Sequence, residues 1–126
     1  MLFTLEALEA KHGDALLLHF GTTAKPQLIV IDGGPAGVYA KTLKTRLDAI
    51  KAARFPGEPL PIRLLMVSHI DDDHINGVLQ LTKRLDELRE QRQPVPYNLL
   101  TLWHNSFDDI LGTQADALTA NLHAAV

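Results

Sequence analysis

A chain of 126 residues with 46% hydrophobic side chains is long enough to bury one small core, or to form one piece of a larger domain. Its net charge of −3 and its scattered basic residues argue against a nucleic-acid arm or a basic membrane patch. The absence of cysteine excludes disulfides, thiolate zinc sites and cysteine nucleophiles, so any metal must be held by His, Asp or Glu.

The start, Met1-Leu2-Phe3-Thr4-Leu5-Glu6, lacks the basic opening and apolar stretch of a signal peptide. No run approaches the roughly 18 apolar residues that span a bilayer, so a cytoplasmic location is the default expectation. Leu2 to Leu8 reads as a strand, then Lys11-His12-Gly13-Asp14 as a turn. Ala15 to Phe20 is a second strand, short and nearly all apolar. Gln27 to Ile31 is a third, β-branched and stopped by Asp32-Gly33-Gly34-Pro35. Three strands so close in sequence predict an antiparallel meander.

Tyr39 to Ala53 reads as a helix, with Leu43, Leu47 and Ile50 forming one apolar stripe. Lys41, Lys44, Arg46 and Lys51 lie mostly off that stripe. They are read as a solvated face, although a basic face can attract an anionic substrate. Ile62 to Val67 is expected to be a fourth strand buried on both faces. Ile75 to Arg89 is a second helix with Ile75, Val78, Leu79, Leu85 and Leu88 on one side, ended by Gln93-Pro94-Val95-Pro96. Leu99 to Trp103 is a fifth strand, and Ala115 to Ala124 a third helix. The order predicts one α/β unit with a sheet covered by helices.

The stretch that carries chemistry is Ser68-His69-Ile70-Asp71-Asp72-Asp73-His74-Ile75-Asn76-Gly77, where a strand ends and a helix begins. Three carboxylates and two imidazoles within six residues repel one another unless a cation relieves them. Imidazole nitrogen with carboxylate oxygen suits zinc, iron or manganese. His69, Asp71 and Asp73 alternate, so in an extended segment they share one side, while His74 points elsewhere. Two ligand groups aimed differently can serve two ions. Asp72 reads as a solvated or helix-capping carboxylate, favoured by the helix dipole. The bland alternative is a capped helix start with ordinary surface charges.

His69-Ile70-Asp71-Asp72-Asp73-His74 resembles the H-x-H-x-D-H signature of the metallo-β-lactamase-fold hydrolases, with Asp71 where the second His usually stands. The H-x-D-x-D-H form resembles the branch that includes the hydrolase domain of competence-type DNA-uptake proteins. His12-Gly13-Asp14-Ala15, Ile31-Asp32-Gly33-Gly34 and His74-Ile75-Asn76-Gly77 look like that branch's early G-D-A turn, its D-G-G turn and its D-H-x-x-G continuation. The likeness covers roughly residues 1 to 105, and each short turn alone would be weak.

The resemblance implies an αββα sandwich, of which residues 1–126 would supply the first half. It implies two divalent ions, zinc first, with manganese or iron as alternatives. His69 and Asp71 would hold one ion; Asp73 and His74 would hold the other. A metal-bound hydroxide would attack an ester, amide or phosphodiester bond, with Asp73 also orienting it. Asp32, and less directly Asp14, would hydrogen-bond the ligand loop. Asp71 in place of His hardens the first site and shifts its preference toward manganese or iron.

The remaining ligands that such a fold draws from its second half are not found after His74. His104, in Leu102-Trp103-His104-Asn105-Ser106, is a candidate substrate or metal contact, or a surface histidine. His123 and His19 read as bland, His19 as a packed or edge histidine. Ser68 and Ser106 lack a nucleophile elbow. Half a sandwich leaves an apolar sheet face for a second copy or another chain to cover. The alternative function is a truncated, non-catalytic metal-binding or interaction module.

Overall fold

Three apolar runs at the start of the chain fold back on one another because the turns between them are short. Strands β1 (Leu2–Ala7), β2 (Leu16–Gly21) and β3 (Pro26–Ile31) pair antiparallel in chain order. The computed structural model describes residues 1–10, 13–69, 72–104 and 121, with Asp72 and Asp73 described for their backbone alone. Beyond β3 the sheet becomes parallel. Strand β5 (Leu64–Val67) pairs with β3, and β7 (Leu102–His104) pairs with β5, giving the order β1-β2-β3-β5-β7. Parallel neighbours need a crossover, and helices supply it. Helix α1 (Lys44–Arg54) lies between β3 and β5, and α2 (Asp72–Glu90) between β5 and β7. The chain is α/β, with a mixed sheet and two helices among the described residues.

Two expected strands are each broken in two. The run Ile62 to Val67 divides at Arg63 into β4 (Leu60–Ile62) and β5. The run Leu99 to Trp103 divides into β6 (Tyr97–Leu99) and β7. Strands β4 and β6 form their own parallel pair. The cause is phase. Leu60, Ile62, Leu65 and Val67 are all buried, and a regular strand cannot face Ile62 and Leu65, three residues apart, to the same side. A break at Arg63 restores the phase, and Arg63 N–H donates to Leu28 O at 2.8 Å as the chain enters the large sheet. The same shift separates buried Tyr97 and Leu99 from Leu102 and His104. The two breaks are bonded side by side, Leu100 N–H to Ile62 O at 3.0 Å and Leu65 N–H to Thr101 O at 2.9 Å.

The first helix opens with a π-helical turn, Tyr39–Leu43, and continues as α1. Its stripe is buried as the spacing predicts: Leu43, Leu47 and Ile50 are all inside. Its cations are partly paired, Lys44 with Asp48 at 2.7 Å and Arg46 with Glu6 at 2.5 Å. Helix α2 buries Ile75, Val78, Leu81 and Leu85 against the same sheet face, and Thr82 between them returns its hydroxyl to Val78 O at 3.0 Å. Of the expected third helix, only Asn121 lies within the described residues. It is helical and donates to Thr82 Oγ1 at 3.0 Å.

Among the described residues the helices cover one face of the sheet only. Leu17, Leu28, Val30, Leu65 and Val67 point into the core, while Leu64 and Met66 alternate to the other side and are half-buried. The expectation that this segment is buried on both faces is therefore corrected. On the far side Phe3, Leu5 and Trp103 are 75%, 59% and 62% exposed.

His19 sits on the core side, buried, between β1 and α1. Arg54 can only donate, so His19 Nδ1 accepts from it at 3.4 Å and His19 Nε2–H donates to Glu6 at 3.1 Å. The histidine ties the edge strand to the helix.

Candidate metal centre

The chemistry-bearing residues collect at the carboxyl ends of β3 and β5, the end where open α/β sheets characteristically bind ligands. Asp32 follows β3 with φ of 60°, a left-handed conformation that Asp tolerates better than most residues. That turn aims its carboxylate under the neighbouring loop, where it is 1% exposed. Asp32 N–H holds Met66 O at 2.8 Å, which fixes the turn to β5.

Two glycines explain why the turn and α2 approach so closely. Gly33 N–H donates to His74 O at 2.8 Å, and Gly77 N–H donates to Gly34 O at 3.1 Å. A Cβ on Gly33 would stand 2.7 Å from Gly77 Cα, and one on Gly77 would stand 2.7 Å from Gly33 Cα and overlap Gly33 O. The helix can rest on the Asp32 turn only because neither residue has a side chain.

Asp32 organises the cluster. It accepts from Ser68 N–H at 2.7 Å, from the Ser68 hydroxyl, and from His74 Nδ1 at 3.0 Å. The proton positions follow from donor–acceptor logic. The carboxylate only accepts, so the single hydroxyl proton of Ser68 goes to Asp32. Ser68 Oγ must then accept from His69 Nδ1–H, 3.0 Å away. His74 likewise carries its proton on Nδ1. In the neutral form each imidazole then carries its lone pair on Nε2. Their ring centroids are 4.9 Å apart.

Asp32, His69 and His74 each bring a ligand atom within 4.8 Å of the others. The donor set suits zinc, iron or manganese. The two imidazoles fit the role of ligands, with Nε2 as the donor atom. Asp32 fits better as the group that orients them, because three donors already engage its two oxygens. Asp14 stands at the rim, its carboxylate 3.7 Å from His74 Nδ1 and mostly exposed, and its backbone O accepts from Gly34 N–H at 2.9 Å.

His12 and Asp71 lie outside the described residues, as do Ser106 and His123. Asp73 is described for its backbone alone, in the first turn of α2, one residue after Asp72 opens the helix. Among the described residues the cluster brings together two of the four expected ligands, His69 and His74. His104 ends β7 in register with Val67, and its Nδ1 is buried with no hydrogen-bond partner. It is outside the cluster of described donors.

Ser68 is the residue that sequence reasoning missed. Read only as a failed nucleophile, it instead relays the orientation of Asp32 to His69. Its one signal in the sequence is its place next to His69 at a strand end. Comparison with protein-family models, with curated proteins and with solved structures finds no match for the chain.

Proposed function

We propose that this protein is a metal-dependent hydrolase of the metallo-β-lactamase kind, acting on an ester, amide or phosphodiester bond. The observation that carries the reading is the hydrogen-bonded unit of Asp32, Ser68, His69 and His74, in which one buried carboxylate orients two imidazoles whose ligand atoms lie within 4.8 Å of each other. Ligating histidines in metal sites typically donate from the other ring nitrogen to a carboxylate, backbone carbonyl or water, as His74 does to Asp32, and Ser68 Oγ fills that place for His69. The motif resemblance adds Asp71 and Asp73 as the neighbouring oxygen ligands and αββα as the finer architecture.

A bound divalent ion would supply Lewis acidity and lower the pKa of water toward neutrality. The chain's own residues prepare for it. Asp32 fixes the tautomers of both imidazoles, and Ser68 carries that constraint across to His69. The Gly33–Gly77 contact sets the height of His74 above the turn.

A second reading, a metal-binding module without turnover, is favoured by the count of described nitrogen donors: two, where catalytic zinc sites use three protein ligands.

Metal content of protein purified without chelator, beside a His69→Ala/Asp73→Ala double variant, tests both. The hydrolase reading expects metal in the wild type, none in the variant, and hydrolysis of model phosphodiesters, esters or lactams restored by zinc or manganese to stripped protein. Metal without turnover selects the module. No metal in either protein removes both. Greater activity with zinc than with manganese would argue against Asp71 as a hardening ligand.

A further inference from the structure

The sheet face turned away from the described helices is a feature that the candidate metal centre does not use. Strand register places Phe3 and Leu5 of β1, Leu18 of β2, Ile29 of β3, Met66 of β5 and Trp103 of β7 on that side. Every other residue of the five strands that shares it is uncharged, and Gln27 is the one polar side chain among them. Phe3 and Trp103 stand mostly in the open, and so does Leu5.

Scattered exposed apolar residues need no explanation, but a contiguous face does. Aromatic side chains carry about 150–250 Å² each, so at their observed exposures Phe3 and Trp103 alone leave on the order of 250 Å² of apolar surface open. Five strands spaced about 4.8 Å apart, three to six residues long at about 3.3 Å each, make a face of roughly 400 Å² in projection. Pleating and protruding side chains raise the accessible area above that. Two such faces total roughly 800 Å² in projection, and that added relief brings the contact to the order of the about 1,000 Å² that separates a biological interface from a chance contact.

We infer that the protein forms a two-fold dimer through this face, sheet against sheet. The occupant follows from the charge pattern. A charged or strongly polar partner would find nothing here to pair with. A second copy brings an identical uncharged face, so the contact is isologous and carries no like-charge penalty. Two twisted sheets pack aligned at about 30° and about 10 Å, and alternate side chains such as Leu18 and Ile29 interdigitate between them. The helices then cover the two outer faces, and each metal centre lies at the carboxyl edge, clear of the contact. The inference does not depend on the hydrolase reading.

Sedimentation velocity of the 126-residue chain tests it. The expected result is a closed dimer, and Phe3→Lys with Leu5→Lys converts it to a monomer of unchanged circular dichroism; both sites are exposed edge-strand positions, so the fold survives. A second measurement uses the lack of cysteine. A nitroxide on Leu5→Cys, with no lysines introduced, should give one narrow inter-spin distance in the dimer. A monodisperse monomer overturns the proposal, whether or not it co-sediments with phosphatidylcholine vesicles. So does open-ended association that the two lysines leave unchanged, or a dimer that gives no defined inter-spin distance.

Discussion

Gly77→Ala is the substitution whose effect depends most directly on the fold around the candidate metal centre. Gly77 lies inside α2, and in an ordinary helix interior Gly→Ala stabilises by about 1 kcal/mol. Here the added methyl meets the backbone of Gly33, which cannot swing aside as a side chain can. The helix must lift away from the Asp32 turn. That strains two hydrogen bonds, Gly33 N–H to His74 O and Gly77 N–H to Gly34 O, each contributing about 1 kcal/mol. Overpacking adds about 1–3 kcal/mol. Set against the helix gain, the net loss is about 2–4 kcal/mol, a large share of a small domain's stability. At a urea m-value of about 2 kcal/mol per molar, the midpoint falls by about 1–2 M. The assay is urea unfolding followed by circular dichroism, with Lys83→Ala, exposed on the same helix, as control. Metal titration of the folded variant should show weaker binding as well, because His74 moves with the helix relative to Asp32. A Gly77→Ala protein as stable as the wild type, or more so, would refute the close-approach argument.

Asp32→Asn keeps the shape but turns one acceptor into a donor facing Ser68 and His74. Metal affinity should fall by about 10- to 100-fold, measured by competition with a chromophoric chelator, while His69→Ala should abolish it. In acid, Glu6 and Asp48 matter most. The Arg46 hydrogen bond holds the Glu6 carboxyl below its ordinary value, with His19 helping against burial. Burial works to raise Asp48, but the Lys44 and Tyr97 hydrogen bonds outweigh it and leave it lowered. Both folded values lie below the unfolded ones, so their stabilisation is present above the ordinary values of 4.5 and 3.8 and is lost as pH falls through the folded ones. Melting temperature should drop across that acid range, and Glu6→Gln should flatten the slope. In base the sign reverses. Burial pushes Tyr39 up to about 12 and raises Tyr97 further, so stability falls as pH climbs above 10, and Tyr97→Phe should reduce that fall. His104→Leu removes a buried nitrogen that has no partner, so it should be neutral or stabilising by about 1 kcal/mol in thermal melts of metal-free protein. A clear loss would mean that Nδ1 is held by a bound group.

The sequence by itself determined the local elements and the place of the chemistry. Apolar runs between Gly and Asp turns specify β1 to β3, the 3.6-residue stripe of Leu43, Leu47 and Ile50 specifies α1, and the crowding of His69 to His74 marks the candidate metal loop, because these signals act between residues close in the chain. Three features came from tertiary contact. The breaks at Arg63 and between β6 and β7 follow from which residues meet the core, a property of the pairing between distant strands. The relay from Asp32 through Ser68 to His69 joins residues 36 or more positions apart in sequence and depends on the left-handed turn after β3 lying against the end of β5. Gly33 and Gly77 each read as an ordinary turn or helix glycine, and only their contact shows that neither position admits a side chain. Local periodicity reports which face of an element is apolar; which partner meets that face is decided by the packing of the whole chain.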